Sequence, residues 1–506
     1  MKDLIYIVTK GLTSTTLEHS PDGWDDSVVN IERSLSFYGI FRSYTVSLKF
    51  MLDGASLLRN YFYSKETEDV KLVIKKLDRM TLTYQTIFTG IFDFTKFVDT
   101  DYYVEIVIND KGLSNLIKSN LENEYYVTFL TSNSFRIYAG SSYTTVEFIY
   151  FSRLLSLILD RATNGGVNQG IYEIDDQVLT AEEAGSLRKV LTNHNALKGF
   201  KMFNAKTSLK DVLKALFVLH QITASVETVS GKETLVLKKL DAVFSHDNTQ
   251  TLTSRISDFK LSIASDFIFD RISIGHPSQD YGDMVEVNRE FNCTSIFKSK
   301  NIMNVNSELD LVSPYRADWK GMKDSKNKPN EIVDEDELFV GVVQRVPPEN
   351  YLKLEDGVVY NPSLLPAQAW HNTRISPRHL LQFHQNFIDS CRYGGPGLIE
   401  FISSSFVNNA NNTTYAGIDP GLNEGSGFEH GSSSLFIPLY AEFTTDLPAD
   451  IIITVTDNPY SDFEFQYNGS WFSGYLIGVG LKLHGKSSAK FKLLLSPSTD
   501  LSKLIR

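Results

Sequence analysis

The stretch Ser43-Tyr-Thr-Val-Ser-Leu-Lys-Phe-Met51 decides how the rest of the chain is read. Tyr44, Val46, Leu48 and Phe50 fall on one face and Thr45, Ser47 and Lys49 on the other, the period-two alternation of a half-buried strand. Asp53-Gly54 is expected to end that strand, and Leu57, Leu58, Tyr61 and Phe62 then recur at helical spacing. A second alternation sets Val70, Leu72 and Ile74 against Lys71 and Lys75. A third runs from Thr81 to Phe88 and continues through Gly90-Ile91-Phe92-Asp93-Phe94, and a fourth sets Val104, Ile106 and Ile108 against Glu105 and Val107. Short polar connections join these strands, so the pattern predicts an antiparallel sheet or small barrel interrupted once by a helix.

Before this region, Leu4 to Val8 reads as a strand, and Ser20-Pro21-Asp22-Gly23 supplies turn chemistry. Trp24 is expected to anchor that turn on the sheet, the other reading being a contact with a partner subunit. After it come an amphipathic piece with Leu113, Leu116 and Ile117, strands at Tyr125 to Leu130 and Phe135 to Tyr138, and a last strand ending near Tyr150. The period then changes. Leu154, Leu155, Leu157, Ile158 and Leu159 form a helix stopped by Asn164-Gly165-Gly166. Thr180 with Glu183 reads as a capping box for a helix reaching about Asn195. Ser208 caps a helix whose Leu209, Val212, Leu213, Leu216 and Phe217 make a core-facing stripe. Ile222 to Val229 and Thr234 to Leu237 flank Ser230-Gly231-Lys232 as a hairpin.

Strands resume at Phe259 to Ile263 and Arg271 to Gly275. Ser376-Pro377 opens a helix carrying Leu380, Leu381, Phe383, Phe387 and Ile388. Residues 403 to 434 are rich in Ser, Asn, Thr and Gly, a long loop or arm. Strands close the chain at Ile451 to Val455, Phe463 to Tyr467, Tyr475 to Leu483 and Phe491 to Leu495, with Asn468-Gly469 as a hairpin turn. The fold class expected is mainly β with an α/β module, built of barrel- or sandwich-like antiparallel domains. Four are expected: residues 1–150 a barrel-like β domain, 151–245 the α/β module, 246–345 a second β domain, and 346–506 a helix, a Ser/Asn-rich loop and hairpins.

A chain of 506 residues exceeds one hydrophobic core. Its 42% apolar content argues against disorder, and its 12% aromatic content favours strands. The net charge of −12 argues against a grip on nucleic acid, which needs clustered cations to displace counterions. Cys293 and Cys391 lie far apart without a CxxC partner, so a disulfide framework is excluded. No run reaches the roughly 18 apolar residues of a membrane span, and the N-terminus lacks the features of a signal peptide. Synthesis in a cytoplasm without a classical secretion signal is therefore expected.

Candidate chemistry is thin. His371, His379 and His384 are the closest histidine group, with Cys391 nearby. The gap from His379 to His384 turns two rings roughly 140° apart on a helix, which opposes a shared metal. The acidic run Asp334-Glu335-Asp336-Glu337 has no Gly-centred ligand spacing and reads as a solvated loop. Gly394-Gly395-Pro396-Gly397 lacks the Lys and Ser/Thr of a phosphate cradle. No Gly-x-Ser-x-Gly elbow occurs and Cys391 has no evident base. No catalytic, cofactor-binding or metal-ligating residue is assigned, and no cofactor is expected.

Three stretches carry a resemblance: Phe41 to Ala55 with Phe88 to Phe94; Ser208 to Leu216 with the hairpin through Gly231 and Leu237; and Tyr467-Asn-Gly-Ser-Trp-Phe-Ser-Gly-Tyr475 with Phe491 to Leu494. Together they resemble structural tail proteins of tailed bacteriophages that infect gut bacteria, in particular hub or baseplate (tail-associated) proteins. Residues 320–435 fit that pattern least. The resemblance implies a virion protein made in the host cytoplasm and no enzymatic activity. It implies self-association into a ring, a trimer favoured and a hexamer the alternative, that continues the tail tube and docks other tail proteins. DNA would pass through the lumen without specific binding. Two rival readings stand beside it. One is an adhesin-like protein binding a host-surface glycan through Trp319, Trp370, Trp471 or Tyr side chains. The other is a cell-wall or polysaccharide hydrolase, which would need two facing carboxylates in a cleft.

Overall fold

The computed structural model describes residues 2–23, 28–43, 45–68, 70–77, 81–110, 112–127, 134–139, 142–184, 187–193, 205–230, 232–245, 249–277, 294–299, 307–317, 338–346, 351–354, 377–391, 399–404, 434–446, 452, 455, 459–482 and 488–499. They form a mainly β, multi-domain structure of several sheets, most of them antiparallel, with an α/β module.

The N-terminal sheet has six antiparallel strands in the order Thr13–Thr16, Leu4–Lys10, Val70–Leu77, Tyr84–Asp99, Tyr103–Asn109, Thr45–Met51. The alternation read from the sequence is the alternation of burial: Tyr6, Val8, Leu48, Phe50, Leu72, Ile74, Ile106 and Ile108 all point into one core. The two halves expected around Gly90 are a single sixteen-residue strand. The sheet does not close into the barrel that the pattern allowed. It is an open path whose outer strands do not pair, although Asp22 makes an isolated bridge to Lys49 with N–H···O distances of 2.8 and 2.9 Å.

The strand ends at Met51, beside Asp53-Gly54 as expected, and that pair sits in the first turn of the helix Leu52–Tyr63. The reason is tertiary. The Asp53 carboxylate accepts the Glu18 N–H at 2.6 Å, and a Cβ on Gly54 would stand 3.1 Å from the Phe50 ring, so this residue pair lets the helix lie close on the sheet.

An eleven-stranded sheet gathers distant parts of the chain. Its main path runs Glu173–Asp175, Lys232–Lys239, Ile222–Val229, Ile40–Ser43, Val28–Arg33, Ser470–Lys482, Ser488–Leu495, Leu439–Asp446, Ile256–Ile263. Asp462–Tyr467 pairs with Ser470–Lys482 and brings Thr249–Leu252 alongside in parallel. Ile222–Val229 and Lys232–Lys239 form the predicted hairpin, with Lys232 already paired to Val229, and the turn at Asn468 and Gly469, at φ 49° and 79°, is as the sequence predicts. Arg33 pins this sheet from within. Its Nε donates to the Leu476 carbonyl at 3.0 Å and its Nη1 to the Tyr38 carbonyl at 3.1 Å, with Phe244 and Tyr460 rings beside the guanidinium. Burial pushes its pKa down to about 10.

The helix Leu209–His220 is the centre of the α/β module. Ser208 caps it, its Oγ accepting the Asp211 N–H at 3.1 Å. The stripe predicted from Leu209 to Phe217 is buried, and so are Ala215, Val218 and Leu219, because the helix is covered on more than one side. Phe217 meets Tyr38 at 4.7 Å and Phe387 at 5.8 Å between ring centres.

Three further expectations are corrected. The helix containing Thr180 and Glu183 ends at Ala184, and Leu187–Asn193 is a strand paired with Leu338–Val346. Glu183 does not cap its own helix; it accepts the Ser152 N–H at 3.0 Å at the start of the helix Phe151–Ala162. The helix opening at Pro377 is two short ones, Pro377–Phe383 and Gln385–Ser390, broken at His384. Its Nε2 lies 2.8 Å from the Val218 carbonyl, a contact that holds the break against the central helix. Ile452 and Val455 are helical, not strand. Both are buried; the other residues from Ile451 to Val455 lie outside the described residues.

Candidate assembly surfaces

The first surface grows from an irregularity in the N-terminal sheet. Asp93 pairs with Val107 and Val98 with Glu105, so residues 94–97 stand opposite the single residue Ile106. This wide bulge is held by Asp93, whose carboxylate accepts the Thr95 N–H at 3.1 Å and the Thr95 hydroxyl. Those bonds, the Thr95 hydroxyl foremost, hold the Asp93 carboxyl below its ordinary range. The bulge carries Phe94 and Phe97 out to the helix Leu52–Tyr63, where Phe62 stacks on Phe97 at 4.1 Å with ring planes 10° apart. Arg59 closes the same corner, its Nε 2.8 Å from Asp99, while the Tyr63 hydroxyl donates to Asp99 at 2.9 Å. The Arg59 bond, with that of Tyr63, lowers the Asp99 carboxyl. Tyr63, Val98 and Tyr102 (85% exposed) leave apolar surface in solvent around this corner. Bulges re-aim side chains at sheet rims, and contiguous exposed apolar groups of this kind mark interaction sites.

The second surface is the rim strand Thr13–Thr16, exposed at every residue and without a charge. The Leu17 N–H donates to the Tyr6 carbonyl at 2.8 Å. By alternation, Thr13 and Thr15 turn their backbone groups toward Leu4–Lys10, whereas Ser14 and Thr16 turn theirs outward. Leu12, at the hairpin tip, is fully exposed. Edge strands normally carry charge, Pro or a bulge to block pairing with another chain. The edge Ile256–Ile263 follows that rule, with Asp258, Lys260 and a register shift between Ser257 and Lys260, and Glu173–Asp175 is short and acidic. Thr13–Thr16 is also short, at four residues, but carries no charge, Pro or register shift.

The third is the outer face of the hairpin Asp462–Tyr467/Ser470–Lys482, where Trp471 is 55% exposed opposite Gln466. Of the other tryptophans, Trp24, Trp319 and Trp370 lie outside the described residues, as do His371, Cys293, Asp334 to Glu337 and Gly394 to Gly397; of His379 the side chain is not described. Cys391 is buried. Among the described residues no group of three or more His, Cys, Asp or Glu side chains is placed to hold a metal ion, and no helix is long and apolar enough to cross a membrane.

Among the buried polar groups that the sequence did not reveal is His220. His220 pairs through Nδ1 with Glu182, which also pairs with Lys239. Burial, with Lys189 nearby, pushes the His220 pKa well down. The edge of Phe151 meets the imidazole at 5.3 Å, so the residue serves packing at the C-terminal end of the central helix.

No protein-family model matches the chain, and no curated protein matches it. Among solved structures it is similar to the 43 kDa tail protein of prophage MuSo2 from Shewanella oneidensis, at 9% identity and a TM-score of 0.39, over 98% of this chain and 100% of that one. It is similar to a tail protein from Neisseria meningitidis, at 8% identity and a TM-score of 0.41, over 98% of each chain. It is also similar to prophage tail protein gp18 from Listeria monocytogenes, at 9% identity and a TM-score of 0.37, over 99% of this chain and 97% of that one. Likenesses this distant carry no argument about activity or assembly.

Proposed function

We propose that this chain is a structural component of a bacteriophage tail, a distal hub or baseplate protein of a phage of gut bacteria. In this reading it is made in the host cytoplasm and works in the virion. Copies associate into a ring, a trimer or else a hexamer, that continues the tail tube and docks neighbouring tail proteins. Residues 1–150, 151–245, 246–345 and 346–506 are its working divisions, and no residue has a catalytic role. DNA passes through the lumen without being gripped, in keeping with a net charge of −12.

The observation that carries the reading is the open, uncharged edge Thr13–Thr16. A protein that stays monomeric blocks such an edge; one built for assembly leaves it for a neighbour. The resemblance of the three sequence stretches supports the same reading. The test is the mass of the purified protein by light scattering, with negative-stain images of the same peak. A three- or sixfold ring with a central hole is expected. A protein that stays monomeric at every concentration, and also when mixed with the proteins of its own tail, overturns the proposal.

A further inference from the structure

The outer face of the hairpin Asp462–Tyr467/Ser470–Lys482 has the composition of a ligand platform. Asp462–Tyr467 and Ser470–Lys482 pair so that Phe463, Phe465, Tyr467 and Phe472 lie on the inner face. There Phe465 stacks on Phe472 at 5.2 Å, Tyr467 on Phe259 at 4.3 Å, and Phe443 lies 4.4 Å from Phe465. This aromatic layer makes the hairpin a stiff support. The outer face is different. Trp471 stands 55% exposed, paired across the strands with Gln466. One step along, Glu464 pairs with Ser473 on one side and with Thr251 on the other. The Ser473 hydroxyl meets that of the exposed Ser498 at 2.9 Å.

Trp471 is not part of the buried core, and its neighbour Phe472 fills the opposite side of the hairpin. Among the described residues, the side chains of Glu464, Gln466 and Thr251 make no hydrogen bond to the rest of the chain. The strip therefore offers one broad indole face and, about 5 Å across and about 7 Å along the strands, unspent donors and acceptors. The strip carries one carboxylate and no cation.

We propose that this strip binds a neutral saccharide. An indole face carries partial negative charge and attracts the weakly positive C–H face of a sugar ring. An amide, a carboxylate and hydroxyls set around it match the hydroxyl groups at the ring edge. Charge decides against the other flat ligand an indole can stack on: single-stranded nucleic acid needs a cationic groove along its backbone, and Glu464 repels it. The same argument excludes polyphosphate-type polymers. The inference does not depend on ring assembly, because Trp471 and Thr13–Thr16 lie on different sheets.

The test is a glycan array of neutral hexose, deoxyhexose and N-acetylhexosamine oligomers, probed with the whole protein, then calorimetric titration of the best binder. Trp471→Ala should weaken binding by up to about tenfold, the worth of one aromatic face, while Trp471→Tyr should bind nearly as the native protein does. Gln466→Ala should weaken it less than Trp471→Ala does. Both tryptophan variants should keep the native melting temperature, because the side chain is exposed. The proposal is overturned if no neutral oligomer binds at millimolar concentration, or if Trp471→Ala binds as the native protein does. It is also overturned if Trp471→Ala instead loses self-association, which would make the face a contact between copies.

Discussion

Gly90 shows how one residue can be dictated by its surroundings. A Cβ built there would stand 2.6 Å from Ile108 and 2.7 Å from the Phe88 ring, so the Phe88 ring lies across the gap that the missing side chain leaves. Gly90→Ala should destabilise the protein by about 1–3 kcal/mol, the usual cost of overpacking a filled core. Denaturant melts of the two proteins decide it, and equal midpoints would refute the packing account. Asp99 tests the aromatic corner differently. Its carboxyl is held below the ordinary value of 3.8 by Arg59, with help from Tyr63. A depressed folded-state pKa means that its contribution is complete above 3.8 and disappears as pH falls through the lower folded value. Asp99→Asn should therefore melt below the native protein at neutral pH, with the gap closing on acidification. Parallel melting curves down to about pH 2 would sink the idea.

Among the elements, Thr13–Thr16 is the one whose surroundings are unfinished. Ser14 turns its N–H away from the sheet, so a proline there removes an outward donor without breaking a bond to Leu4–Lys10. Ser14→Pro should leave the melting temperature within a few degrees while lowering the mass seen by light scattering to that of the monomer. If the variant still assembles, the edge is not the contact, and the aromatic corner at Phe97 and Tyr102 becomes the next candidate. Periodicity gave no sign of this strand, because four exposed Thr and Ser residues have no apolar alternation to detect. Trp471 was visible as a residue type, and Asn468-Gly469 as a turn; that the tryptophan faces solvent depends on which side of the hairpin the Phe259 layer covers.

Across the whole molecule, local pattern and long-range pairing divide the information between them. Alternation along Leu4–Lys10, Val70–Leu77 and Tyr103–Asn109, the stripe on Leu209–His220 and the turn at 468–469 were legible because each is set by neighbours within a few residues. The β-rich class with an α/β module follows from them. The sheet that joins Val28–Arg33 to Ser470–Lys482 was not legible, nor was Arg33 reaching the Leu476 carbonyl 443 residues away. The same holds for the bulge at 94–97, the break at His384 and the helical Ile452 and Val455. The bulge sets Phe97 on Phe62 and the break sets His384 on the Val218 carbonyl, partners remote in the chain. A strand's period says that it will pair, but the free energy that selects its neighbour belongs to the packed core as a whole.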